Sequence, residues 1–177
     1  DWSSDVFSSD LYSPITSYGV AKYAASILSG KFCKEKNIEY VWGRIFSVYG
    51  PHDNDDTMLE YAIRCWNNGK IAQFSAGLHS WNYLYESDAG EMFYRLGCDN
   101  VLPGSYFVAN HKSKLLREYI DILIKAYGDG ARAEFSDSPG NALPGLDVDM
   151  SETAKMLNFI PIVDFETGIR NMIASMR

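Results

Sequence analysis

Val20, Ala24, Ile27, Leu28 and Phe32 recur at helical spacing over nearly four turns, and the polar run Lys34-Glu35-Lys36-Asn37 ends the pattern. The spacing predicts a helix. Residues 40–46 then form a short apolar run in which Arg44 is the only charge, closed by the turn chemistry of Tyr49-Gly50-Pro51. That reads as a buried strand. Thr57-Met58-Leu59-Glu60 has the form of a capping box, in which the hydroxyl and the carboxylate satisfy backbone N–H groups at a helix start, and the helix should run to Asn67-Asn68-Gly69. Further on, the pattern predicts a strand over 82–85, a helix over 88–96, a strand over 105–109 and an amphipathic helix over 115–127. Pro139, Gly140, Pro144 and Gly145 mark residues 136–145 as a loop, after which helices over 151–157 and 165–176 flank a break at Pro161. Strands alternate with helices, which is the α/β pattern. Residues 1–17, rich in Ser and Asp, read as an irregular surface segment.

Composition narrows the partners. The 177 residues are enough for one packed core, and too few for a two-domain enzyme of ordinary size. No apolar run approaches the roughly 20 residues of a membrane span. The net charge is −7, without Lys/Arg blocks, so neither nucleic acid nor an anionic membrane surface is an expected partner. Cys33, Cys65 and Cys98 are odd in number and widely spaced, which suggests no disulfide framework or structural zinc, and Cys33 and Cys65 read as buried small hydrophobes. A reducing cytoplasm is the expected setting. Asp53, Asp55 and Asp56 favour the positive end of the following helix and lack EF-hand spacing, while His52, His79 and His111 lack metal-ligand spacing, so no metal is expected. The chain opens on Asp1, without an initiator Met or a signal core, and reads as a piece of a longer product.

The candidate chemistry begins with Tyr18-Gly19-Val20-Ala21-Lys22, which puts a phenol and an ammonium four residues apart on one helix face. An adjacent ammonium stabilises a phenolate, which suits the phenol to exchange protons with a sugar hydroxyl or ketone near neutral pH. With twelve Tyr in the chain, about 0.6 such Tyr-x-x-x-Lys pairs arise by chance, so the pair gains meaning only from context.

That context is an ordered set of segments. The Tyr-Lys helix leads into Arg44-Ile45-Phe46-Ser47-Val48-Tyr49-Gly50-Pro51, then come Trp81-Asn82-Tyr83-Leu84-Tyr85-Glu86-Ser87-Asp88-Ala89, Gly104-Ser105-Tyr106-Phe107-Val108-Ala109, and finally Leu157-Asn158-Phe159-Ile160-Pro161 with Phe165-Glu166-Thr167-Gly168-Ile169. Together they resemble the extended short-chain dehydrogenase/reductase family, the nucleotide-sugar epimerases, dehydratases and 4-ketoreductases, over residues 13–177. The resemblance implies the C-terminal part of a Rossmann-type parallel sheet over 1–75 and, over 76–177, mainly a small α/β substrate-binding lobe, with some elements interleaved. It implies that Tyr18 is the general acid/base, that Lys22 holds the nicotinamide ribose, and that Val48 and Tyr49 stand at the strand end beside NAD or NADP. Ser47, Trp81 and Asp88 are the implied substrate contacts, Asp88 being first a helix N-terminal residue. A nucleotide sugar is the implied substrate, and a homodimer packed through the Tyr18 helix the implied assembly, with Ala25, Ser26 and Ser29 allowing close helix approach.

Departures from the family pattern bear on that expectation. Ser47 stands where many members have Asn, Trp81 where many have a phosphate-binding Arg, and Ser138 at a second basic position, leaving Arg64, Lys70, Lys112 and Arg132 as substitutes. No Gly-x-Gly-x-x-Gly or Gly-x-x-Gly-x-x-Gly turn occurs, so the N-terminal cofactor-binding half is expected to be absent and the chain alone inactive. The catalytic Ser/Thr expected about 25 residues before the tyrosine is missing as well, and Ser3 and Ser4 read as loop residues. The alternative is a catalytically inactive binding or assembly remnant of the same fold.

Overall fold

The computed structural model describes Pro14 and residues 16–98, 101–137 and 145–176. Along them run α1 (Ser17–Glu35), β1 (Val41–Ile45), β2 (Ser47–Tyr49), α2 (Met58–Asn67), β3 (Ala72–Phe74), β4 (Ser80–Trp81), β5 (Tyr83–Tyr85) and α3 (Glu86–Cys98). They continue as β6 (Gly104–Val108), β7 (Lys114–Leu115), α4 (Leu116–Tyr127), β8 (Ala133–Phe135), α5 (Ser151–Leu157) and α6 (Phe165–Ser175). The α/β alternation is present, and the strands associate in pairs. β2 pairs in parallel with β5, β3 in parallel with β8, β4 antiparallel with β7, and β1 with β6. Parallel partners need long crossovers, which the helices supply. No described helix is long and apolar enough to cross a membrane.

Two compact units divide these elements. In the first, Thr16 caps α1, its hydroxyl accepting from Gly19 N at 3.0 Å. Beyond the helix, Asn37 adopts a left-handed conformation (φ 55°). The Tyr40 ring lies over Gly30, where an added Cβ would meet it at 3.1 Å, and its hydroxyl donates to Ser26 O at 2.9 Å. Burial raises the Tyr40 pKa, opposed by a hydrogen bond with Ser29. The apolar stripe expected to pack is instead open to solvent, with Val20, Ile27, Leu28 and Phe32 all more than half exposed and Gly30 the only buried residue of the helix. Among the described residues, this unit contributes too few other elements to cover an apolar helix face. The strand read as buried, β1, is likewise only half-buried.

The second unit holds the core. α2, α4 and α6 bring Ile63, Ile120, Leu123, Ile169 and Met172 against an aromatic group made by Tyr49, Tyr83, Tyr85, Tyr119 and Phe165. Ring centroids are 4.6 Å apart for Tyr119–Phe165 and 5.1 Å for both Tyr49–Phe165 and Tyr83–Tyr119, distances at which edge-to-face and tilted pairs attract. Gly168 in α6 makes room for this packing, since a Cβ there would stand 2.2 Å from Tyr49 Oη. α6 begins at Asp164, whose carboxylate accepts from Thr167 N at 2.8 Å. Cys33 and Cys65 are half-buried and Cys98 is exposed, all three as free thiols.

The start of α2 departs from the capping box. Thr57 is the N-cap, yet Thr57 Oγ1 and Glu60 Oε2 are enclosed without hydrogen bonds. The reason is local: the Thr57 N–H that Glu60 should accept from already donates to Asn54 O at 2.9 Å. Burial therefore raises the Glu60 pKa, with Arg64 one turn on only partly offsetting it. A raised carboxyl pKa in the fold favours stability below the ordinary carboxylate range and removes it as pH climbs through the raised value. Glu60→Gln is accordingly expected to melt at the wild-type temperature near pH 3.5 and above it at pH 7, as followed by circular dichroism. Gly168→Ala is expected to destabilise by about 1–3 kcal/mol through overpacking against Tyr49, read as a lower urea midpoint at unchanged slope.

Candidate functional site

Tyr18 and Lys22 lie in the first turns of α1, the first unit's helix. The i, i+4 spacing stacks them on one face, and Lys22 Nζ stands 5.5 Å from the centroid of the Tyr18 ring. Tyr18 is 72% exposed, so its hydroxyl is open to a reactant. A solvent-open phenol beside a mobile ammonium can donate or accept a proton at a carbinol or carbonyl oxygen, and the ammonium can also donate to diol oxygens.

The other expected site residues belong to the second unit. The parallel register Ser47↔Tyr83, Val48↔Leu84, Tyr49↔Tyr85 brings the C-terminal ends of β2 and β5 out at the same edge. Ser47 and Val48 are half-buried there. The Tyr49 side chain points into the core: it is 2% exposed, and its hydroxyl donates to Phe165 O at 3.4 Å. Burial, reinforced by the nearby Tyr85, pushes its pKa far above that of an ordinary phenol, so it stays neutral. Only its backbone can face a ligand. Burial likewise raises Tyr83 and Tyr119.

Asp88 also proves to be architectural. It is 3% exposed in the first turn of α3, and its Oδ2 accepts from Ile162 N at 3.1 Å and Val163 N at 2.9 Å, pinning the segment that leads into α6. Its Oδ2 is thus occupied by the chain itself. Trp81 is half-buried, packed edge-on against His79 at 5.7 Å, and stands opposite Lys114 in the β4–β7 pair. Of the substitute cations, Arg64 is engaged by Asp55 at 3.5 Å. Ser3, Ser4 and Ser138 lie outside the described residues. Among the described residues no group of His, Cys, Asp and Glu is placed to hold a metal ion.

Two residues not singled out in the sequence matter here. Asn82, 0% exposed, donates to Asn110 O at 2.9 Å and accepts from Asn110 N at 2.8 Å, a two-way clamp between β5 and the loop after β6. An amide between two aromatic strand residues was the signal available. Glu86 follows β5 as Gly50 follows β2, and its carboxyl lies directly against Gly50, where an added Cβ would meet Glu86 Cδ and Oε2 at 2.5 Å.

With the geometry in place, comparison with known proteins is informative. The model of the NAD dependent epimerase/dehydratase family matches residues 3–107, more than half of the chain. An uncharacterized UDP-glucose epimerase of Bacillus subtilis is 24% identical over 164 residues, covering 92% of this chain and 52% of that protein. The UDP-glucuronate 4-epimerase of Thermodesulfobacterium geofontis is 23% identical over 165 residues, 90% of this chain and 50% of its own. The chain thus spans about half the length of the curated relatives it matches. Among solved structures, the Bacillus cereus UDP-glucuronic acid 4-epimerase in complex with UDP-glucuronic acid and NAD superposes with a TM-score of 0.83 at 22% identity, over 96% of this chain and 55% of that one. The fold is therefore that of the Rossmann-type neighbours, as the sequence suggested.

Asp88→Ala leaves the Ile162 and Val163 N–H groups without an acceptor and is expected to cost about 2–4 kcal/mol in urea unfolding, a loss a merely ligand-facing carboxylate would not produce.

Proposed function

This chain belongs to the NAD dependent epimerase/dehydratase family, and on that premise we propose that it carries the proton-transfer pair and the sugar-binding elements of an NAD(P)-dependent enzyme acting by hydride transfer at a nucleotide-sugar carbon. The observation that supports this most is the juxtaposition of Tyr18 and Lys22, exposed on one helix face with Nζ 5.5 Å from the ring. Relatives named as UDP-sugar 4-epimerases make C4 of the sugar the reacting carbon in this reading.

The residues fit one end of the cofactor. A phenol and an ammonium open to solvent match a ribose diol and a substrate oxygen, so Lys22 would hold the nicotinamide ribose; in the other unit, the backbone of Val48 and Tyr49 at the end of β2 would face the cofactor. The phosphate cradle must come from outside these residues, because the sequence has no glycine-rich turn. When bound, the dinucleotide supplies the hydride acceptor. In this reading Tyr18 starts as a phenolate that Lys22 stabilises, takes the proton from the C4 hydroxyl, stays a neutral phenol until it returns that proton to the C4 oxygen, and is then a phenolate again.

Residues 76–177 serve mainly as the substrate lobe in this reading, with Ser47 and Trp81 at the sugar nucleotide. Trp81 offers a ring face rather than a guanidinium, so it would stack on the ligand instead of neutralising phosphate. The apolar, exposed face of α1 supports homodimerisation through the Tyr18 helix, and the three free thiols support a cytoplasmic setting.

Tested in a full-length enzyme that contains this sequence, Tyr18→Phe is expected to lower kcat by about 10²–10⁴ while leaving the melting temperature unchanged. Unchanged turnover would remove Tyr18 from the chemistry, and absence of turnover in the parent itself would favour a binding remnant.

A further inference from the structure

We propose that Glu86 sets the sugar preference of this site, its carboxylate disfavouring nucleotide sugars that carry a negative charge on the hexose and favouring neutral ones. The inference rests on the nucleotide-sugar reading above and goes beyond it, since neither the family match nor the names of the relatives specifies the sugar.

Three observations carry it. First, the parallel register ends at Tyr49↔Tyr85, so Gly50 and Glu86 are the next residues of β2 and β5 and emerge together at the C-terminal edge of that pair. Ser47, which the proposed function puts at the sugar nucleotide, and Val48 sit just inside this edge. Second, the Glu86 carboxyl lies on Gly50 rather than trailing away from the edge: a Cβ at Gly50 would meet its Cδ and Oε2 at 2.5 Å. Gly50 is buried beneath it while Glu86 remains exposed, so the carboxyl forms the outer surface of the strand end. Third, among the described residues no Lys or Arg forms an ion pair with Glu86, whereas the Asp88 carboxylate two residues on is taken up by two backbone N–H groups.

The chemical consequence follows from Coulomb's law. A second carboxylate brought within a few ångströms of an uncompensated one is repelled, whereas a hydroxymethyl group at the same place accepts or donates a hydrogen bond without penalty. UDP-glucose and UDP-glucuronic acid differ only in that group, and relatives named for each occur among the proteins this chain is similar to.

The test is isothermal titration of a full-length enzyme that contains this sequence, wild type and Glu86→Gln, with UDP-glucose, UDP-glucuronic acid and UDP alone as probes. Unchanged circular dichroism and melting temperature establish that the variant is folded. The expected result is that wild type binds UDP-glucuronic acid at least about tenfold more weakly than UDP-glucose, that the gap falls to about twofold or less in Glu86→Gln, and that UDP binds both proteins equally. Equal wild-type affinity for the two sugars, or a gap that survives in Glu86→Gln, overturns this inference and leaves the nucleotide-sugar reading standing. Failure of either sugar to bind more tightly than UDP overturns that reading, and the inference with it.

Discussion

The strand edge on which the proposed site is built depends on the burial of one phenol. Tyr49 closes β2, and its ring is gripped by Phe165, Tyr83 and Tyr85 at centroid distances of 5.1–5.6 Å. The grip requires α6 to come within contact of the ring, which Gly168 allows, and it requires Phe165 to sit at the first turn, which the Asp164 cap fixes. Because Tyr49 and Tyr85 are register partners, one aromatic cluster holds the ends of both parallel strands. The positions of Ser47, Val48, Gly50 and Glu86 follow from that packing.

The same packing divides the tyrosines by chemistry. Burial of Tyr49, Tyr83 and Tyr119 raises their pKa values, so these hydroxyls remain neutral hydrogen-bonding groups and serve as core. Tyr18 sits on the opposite kind of surface, solvent-open and next to an ammonium. Residue type alone cannot separate a structural phenol from a reactive one, whereas accessibility and the nature of the neighbour can.

That distinction explains which features were legible in the sequence. Long periodic segments announced themselves: α1, α2, α4, α5 and α6 appear within a residue or two of where the spacing puts them. The three-residue strands β2, β3 and β8 did not, because three residues carry no measurable period and their identity depends on partners 36 to 61 positions away. Polar residues were misread where the backbone, which the sequence does not display, claims them. Glu60 loses its capping role because the Thr57 N–H is already bonded, and Asp88 has one carboxylate oxygen claimed by Ile162 and Val163. The tyrosine–lysine pair was legible because its geometry needs only one helix.

Asn82 and Asp88 also account for how the fold tolerates motif changes around them. The first ties β5 to the loop after β6 by a reciprocal amide–backbone pair, and the second ties α3 to the approach to α6 by two N–H bonds. Each satisfies buried backbone groups that would otherwise lose their hydrogen bonds on leaving water. Residue 81 satisfies none in this way: the Trp81 indole N–H is enclosed and makes no hydrogen bond, and the strand there is held by the β4–β7 ladder instead. The Trp81 side chain therefore ties up no buried backbone group. A fold whose strand ends are fixed from beneath, by aromatic packing and backbone capture, leaves its edge residues free to differ in charge.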